Sequence, residues 1–276
     1  MDLRMTYRNH LGEVASVADG GTLHLMATDL LSHSWAFETD GQRVRKLRLD
    51  ARTATLRLGM FGGSAAERDR LYRVLEADVL AATCGTLEFH GYSLTCLPVS
   101  ASLDAWWFDD GIEEREVALL VPRPMWCRDV THQFVPEDND TSVDLDYAYD
   151  YAHDWKRGHA GDTLEVDTIG EAEFRLVVYG QADSPGVKIA GNTYKVNVTV
   201  ADGSRLELDT RDKTIVVVDG QGSVTNAFDA RERGRRGEGS YAFQPLPRGV
   251  LEVDSPGTFG FDVIVHDERT EPAWDA

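Results

Sequence analysis

Side chains able to ligate, cleave or transfer are plentiful in this chain, yet their spacing commits almost none of them to a reaction. Asp138, Asp140, Asp144, Asp146, Asp150 and Asp154 offer oxygen ligands to a hard cation. The twelve-residue calcium loop, however, needs a central glycine and a terminal glutamate at fixed positions, and the run has neither. A solvated acidic face is the simpler account. His153 and His159 are separated by Gly158, so no regular element brings the two imidazoles to one metal. Cys84, Cys96 and Cys127 match no zinc spacing and are odd in number, which reads as buried or partly buried thiols in a reducing compartment. There is no nucleophile elbow, no His-Glu-x-x-His and no phosphate-cradling Walker loop. Gly220-Gln221-Gly222 follows a β-prone run but lacks the third glycine and the helix of a dinucleotide loop, and so reads as a turn. Glycoside hydrolysis needs only two carboxylates about 5–10 Å apart, and no pair among the 47 acids is singled out. The expectation is a chain with no catalytic residue, no metal site and no cofactor, and therefore not an enzyme.

Two features look instead like means of assembly. Ser34–Thr39 and Arg43–Leu49 flank Asp40-Gly41, a pair suited to a tight hairpin turn, which predicts an extended arm over about 34–49. Trp35, Phe37, Asp40, Gly41, Arg43, Arg45, Lys46 and Arg48 are its candidate contact residues. With Arg52 and Arg57 they make a basic strip in which Asp50 is the only acid from 43 to 57. Such a strip suits an acidic neighbour, although solvated strand faces would also account for it. Arg231–Gly237 is a second basic run, broken by Gly234 and read as a mobile loop.

The elements that must carry these residues are mostly strands. One helix is clear: Ser64 and Glu67 form a capping box, and Leu71, Val74, Leu75, Val79 and Ala82 then recur at helical spacing. Gly85 suits the residue just past its end, giving a helix over about 65–83. Elsewhere apolar and polar residues alternate. In the first half this holds for Thr53–Met60, Tyr92–Leu97 and Glu116–Val121. In the second it holds for Leu164–Thr168, Glu173–Tyr179, Thr193–Val200, Arg205–Asp209, Thr214–Val218, Val250–Asp254 and Thr258–His266. Seven short strands between Gly, Asp and Pro turns suggest a β-sandwich. Pro122, Pro124 and the polar run Pro136–Ser142 put a boundary near 136, with domains 1–135 and 136–276.

The charge sum narrows the partners. The 28 bases and 47 acids give −19, and only −5 of it lies in residues 1–135. A surface of that sign repels phosphate backbones and anionic lipid. Met1–Ser16 holds Arg4, Arg8, His10 and Glu13 and no apolar run of the kind a secretory signal needs. No stretch approaches the ~18 apolar residues of a membrane-crossing helix, so no membrane insertion is expected. Synthesis in a cytoplasm follows. The base set is 23 Arg and 5 Lys, a bias that GC-rich coding and high-salt adaptation would each produce.

Asp146-Tyr147-Ala148-Tyr149-Asp150-Tyr151 is an aromatic-acidic entry to the second half. Ser184-Pro185-Gly186 and an alternating strand follow, reaching a Gly turn and Tyr194. Leu206–Thr210 with Asp209, Lys213–Ile215, Asn226-Ala227-Phe228, Pro245–Gly249 with Pro247, and Glu268–Trp274 with Arg269 come next in order. In this order they resemble the distal tail proteins of long, flexible-tailed (siphovirus-type) bacteriophages and related viruses. Ser184 stands where that family usually has Asn. The resemblance implies a mainly β, two-domain chain: a ring-forming, tail-tube-like N-terminal β-sandwich with one helix and the hairpin arm, then a galectin-like C-terminal β-sandwich. It implies a homo-hexameric virion ring at the distal end of the tail, with the tail tube protein above and the baseplate hub or tail-tip protein below. DNA would be a partner only in transit through the channel. An alternative from another class is a host-glycan-binding β-sandwich, with Tyr149, Tyr151, His153 and Trp155 as its aromatic platform.

Overall fold

The computed structural model describes residues 4–18, 22–61, 65–107, 112–136 and 162–272. The capping Ser64, the acidic run 138–154, Tyr147, Tyr149, Tyr151, His153, Trp155, His159 and Trp274 lie outside them. The chain is mainly β and divides into two compact units, Met1–Arg128 with Glu268–Ala276, and Asp129–Asp267.

The first unit contains β1 (Met5–Arg8), β2 (Val14–Ala18), β3 (Leu23–Thr28), β4 (Ala36–Asp40), β5 (Arg43–Arg48), β6 (Arg52–Met60), α1 (Ala65–Ala81), β7 (Gly85–Phe89), β8 (Tyr92–Trp107) and β9 (Ile112–Val121). β10 (Trp126–Phe134) begins in this unit. Antiparallel pairing runs β2-β1-β7-β8-β10 on one side and β3-β6-β9-β8 on the other, with the long β8 belonging to both. The inward positions of these strands, among them Tyr7, Val17, Leu56, Leu58, Leu87, Leu94, Val117 and Leu119, form one core. α1 lies against β1, β2 and β8 and buries Leu71, Val74, Leu75 and Asp78.

The end of α1 differs from the expectation. The helix stops at Ala81, and Ala82 takes the left-handed conformation, φ 51°. The amide of Thr83 donates to the Asp78 carbonyl and that of Ala82 to the Val79 carbonyl, a Schellman closure built on alanine rather than glycine. Val79 is consequently half exposed instead of buried. Gly85 has another duty. It opens β7 where a Cβ would lie 2.2 Å from the Asp78 carboxylate and 2.5 Å from the Tyr7 hydroxyl.

The second unit holds β11 (Asp162–Val166), β12 (Phe174–Tyr179), β13 (Ala182–Asp183), β14 (Gly186–Ile189), β15 (Asn192–Lys195), β16 (Thr199–Val200), β17 (Arg205–Asp209), β18 (Thr214–Val218), β19 (Val224–Asn226), β20 (Gly249–Asp254) and β21 (Phe261–Arg269). β21 returns the chain to the first unit at Glu268. One sheet runs β19-β18-β17-β12-β21 and the other β11-β20-β14-β15, all antiparallel. Leu164, Phe174, Leu176, Val187, Ile189, Leu206, Leu208, Val253 and Phe261 belong to a single core formed by both sheets. The continuous strand expected over 193–200 is broken, because Lys195 to Asn197 pair with the loop at Ala230–Glu232 instead of continuing a ladder.

Candidate functional site

The hairpin arm is present, and it stands apart. β4 and β5 pair only with each other, as a two-stranded sheet, with Phe37 opposite Leu47 and Thr39 opposite Val44. Asp40 pairs with Arg43, so the two turn residues are Gly41 and Gln42, one step on from the Asp40-Gly41 pair that the dipeptide suggested. Gly41 supplies the positive φ, 59°, that a two-residue hairpin turn asks of its first position. A bulge between Glu38 and Thr39 locally shifts the register.

The arm is exposed along nearly its whole length. Phe37 is 68% exposed, Val44 and Leu47 61% each and Trp35 50%. Single exposed apolar residues are ordinary on a protein surface, but four on one detached hairpin form a patch that water disfavours. Val44 and Leu47 were not among the expected contact residues. The β-alternation that would have flagged them is masked by the arginines between them.

The basic strip, by contrast, is largely spent within the chain. Arg45 pairs with Asp40, and Arg48 lies 2.8 Å from Asp50 and 3.9 Å from Glu38. Arg52 donates to the carbonyls of Asp29 and Leu30 at 2.9 and 2.8 Å. Arg57 reaches Asp104 at 2.8 Å. Arg43 and Lys46 make no ion pair among the described residues. Asp104, the acid that pairs with Arg57, is distant in sequence, as are the main-chain carbonyls that hold Arg52, which hid these contacts. What the arm offers a partner is thus apolar surface and unpaired strand edges, with two free charges.

Other polar clusters in the structure act as fasteners. Tyr7 donates to the fully buried Asp78 at 2.5 Å, and the same carboxylate accepts from the His10 amide at 2.9 Å and meets His10 Nδ1 at 2.5 Å. Burial and the bond to Asp78 push the Tyr7 hydroxyl far above its ordinary pKa. The neighbouring Cys96 thiol is pushed up to about 12, chiefly by burial, which makes it an inert thiol rather than a nucleophile. Cys84, Cys96 and Cys127 are not joined in disulfides, and the last two are buried. Glu113 bonds to Arg68 at 2.6 Å and Arg115 at 2.9 Å; burial would raise its carboxyl, and the two guanidinium groups bring it below the usual range.

The positions of the tail-protein resemblance that fall among the described residues are structural. Pro185 is buried, and Tyr194 is buried and donates to the Gln244 carbonyl at 2.7 Å. Ser184, the departure from the usual Asn, takes φ 48°, a region that Asn tolerates better than Ser. Asp209 accepts from Arg175 at 3.0 Å and from the amides of Arg211 and Asp212. Buried His266 lies beside it, bonded through Nδ1 to Asp129 at 2.7 Å. Burial alone would raise the Asp209 carboxyl, but the His266 imidazole 3.9 Å away, the Asp212 amide and Arg175 hold it well below the ordinary range. Asn226 accepts from the Phe228 amide, Gly249 has φ 122°, Pro247 is exposed, and the Arg269 guanidinium lies 6.0 Å over the Tyr92 ring.

No protein-family model and no curated protein matches the chain. Solved structures do. The Dit protein of phage SPP1, described as a paradigm of the hub adsorption apparatus in phages infecting Gram-positive bacteria, aligns with a TM-score of 0.55 and 11% identity, over 97% of this chain and 99% of its own. A chain of the phage p2 baseplate in its activated conformation with calcium aligns with a TM-score of 0.58 and 11% identity, over 95% of this chain and 97% of its own. The same baseplate with strontium gives 0.58 and 12%. Over nearly its whole length the chain has the fold of these phage hub and baseplate proteins, the fold that the resemblance in its sequence implies.

Proposed function

We propose that the chain is a non-enzymatic structural protein of a phage tail: a distal tail adaptor of which six copies form a ring between the tail tube and the baseplate hub or tip. The observation that carries this reading is the likeness to hub and baseplate proteins across both units at once, with almost no residue of either chain left over. In this reading residues 1–135 build the ring around a channel and 136–276 form a galectin-like domain. The β4–β5 arm lies on the neighbouring copy, covering Trp35, Phe37, Val44 and Leu47 and pairing its strand edges. The net −19 suits a conduit that must pass DNA without retaining it, since the field of 47 acids against 28 bases opposes the phosphates.

Light scattering on the purified chain and negative-stain imaging of isolated tails test this directly. A closed ring of six is expected. A strict monomer at high concentration, together with tails that carry no such ring, would overturn it.

A further inference from the structure

In a chain this acidic most guanidinium groups find a carboxylate: in the second unit Arg175 pairs with Asp209, Arg205 with Glu207, Arg236 with Glu171 and Arg248 with Asp167. One concavity gathers three cations that do not. A cavity of about 400 Å³ in the second unit is lined by Lys213, Arg231 and Arg233 together with Phe228, Tyr241 and Phe243. None of the three cations makes an ion pair among the described residues. Glu232 also borders the cavity, so the balance there remains positive.

Arg231 is held in place, unlike the mobile loop that the Arg231–Gly237 run suggested. The Arg231 guanidinium stacks 3.8 Å over the Phe228 ring and donates to the Phe228 carbonyl. Its backbone is clamped on both sides, the Asn197 amide donating to the Ala230 carbonyl at 2.8 Å and the Glu232 amide to that of Lys195 at 3.0 Å. Gly234 sits so close to Ser240 that an added Cβ would meet its Oγ at 2.3 Å, which fixes the segment next to Arg233. Lys213 holds φ 54°, a conformation that L side chains rarely adopt. On the apolar side Phe243 lies between Phe228, stacked at 5.8 Å, and Tyr241, edge-on at 6.0 Å. Tyr241 is itself fixed through its backbone, donating to and accepting from the Asn192 amide side chain.

We propose that this cavity binds a small anionic saccharide, a sugar carrying a carboxylate or phosphate. The held Arg231 guanidinium, with the exposed Arg233 and Lys213 groups beside it, recognises the oxyanion, and the aromatic wall takes the apolar face of the ring. The volume lies within the range of small-molecule sites and far exceeds what a bare phosphate fills. The sign of the whole molecule selects the size of the ligand. A long polyanion meets the net negative field everywhere, whereas a ligand of one or two residues samples only charges within a Debye length, about 8–10 Å. This proposal does not rest on the tail-adaptor reading, and the oligomer measurement that tests that reading leaves it untouched.

Saturation-transfer NMR and calorimetry on the full chain decide it, with glucuronic acid, glucose 6-phosphate, glucose and inorganic phosphate as the four probes. The two anionic sugars are expected to bind, with glucose and phosphate each weaker by about tenfold, the worth of one charge-assisted hydrogen bond or of the ring contact. Arg233→Gln and Lys213→Gln, both at exposed positions, should each weaken the anionic sugars without altering thermal stability. Tyr241→Leu, which keeps apolar bulk on Phe243, should weaken glucose 6-phosphate but not phosphate. Absence of binding by both anionic sugars, glucose 6-phosphate no tighter than phosphate, or affinities unmoved by all three substitutions would each overturn the proposal.

Discussion

The arm makes the sharpest quantitative prediction. Phe37 and Leu47 face each other across β4 and β5 and are 68% and 61% exposed. Full burial of such a side chain is worth about 1.5–3 kcal/mol, so the area still open on each is worth roughly 1–2 kcal/mol if a neighbouring copy covers it. The double substitution Phe37→Thr, Leu47→Thr removes most of that gain while placing β-branched residues, which suit strands, at both positions. Each inter-copy contact should then lose about 2–4 kcal/mol, roughly a 30- to 700-fold drop in its equilibrium constant. Neither side chain belongs to the core of the first unit, so the melting temperature should stay within a few degrees. Sedimentation velocity over a dilution series reads the effect as a shift of the dissociation midpoint to higher concentration. The paired substitutions Arg43→Ala and Lys46→Ala remove exposed charges worth at most about 1 kcal/mol each, and less in salt, so they should move the midpoint far less. A midpoint unchanged by the Thr pair, or one that moves with the charges and not with Phe37 and Leu47, would refute the apolar-arm argument.

Three further outcomes follow from the interior. Asp78→Ala strands the Tyr7 hydroxyl and the His10 amide at a buried site and should cost about 3 kcal/mol, seen as a lower urea midpoint, with Asp78→Asn between it and the wild type. Ala82→Gly relieves the left-handed φ of 51° at an exposed position and should raise stability by about 1 kcal/mol, a rise in melting temperature that an unstrained alanine would not give. The folded-state pKa of Asp209 is depressed, so its contribution is fully present above the ordinary carboxylate range, about pH 4, and is lost as pH falls through the folded value. Asp209→Asn should therefore cost about 3 kcal/mol at pH 7 and show a flatter loss of stability between pH 4 and acid than the wild type, both read from urea denaturation.

Local pattern made the regular parts legible. Arg205–Asp209 alternates polar and apolar residues, Thr214–Val218 is a β-branched run, and both keep the limits that their residues suggest. The body of α1 was equally visible, because Leu71, Val74 and Leu75 must share a face on any helix. Its end was not, since the tertiary contact of Gly85 with Asp78 and Tyr7 claims the glycine that local rules assign to the cap. Val224–Asn226 was passed over as a strand for a related reason: it is short, and pairing with β18 makes it a strand.

The same distinction between local and distant partners governs the charges. Within 43–57 the arm reads as a cationic strip, because the sequence window holds a single acid. In the fold the guanidinium groups of Arg52 and Arg57 turn to Asp29, Leu30 and Asp104, and those of Arg45 and Arg48 to Asp40 and Asp50. The run at 231–237 goes the other way. It reads as a mobile loop, yet the backbone clamps around Arg231 and the tight approach of Gly234 to Ser240 leave Lys213, Arg231 and Arg233 around one cavity with no ion pair among the described residues. Net charge by segment cannot rank two such runs. What ranks them is whether folding delivers a counter-charge, and in a chain with 47 acids a fixed cation that receives none is the more informative of the two.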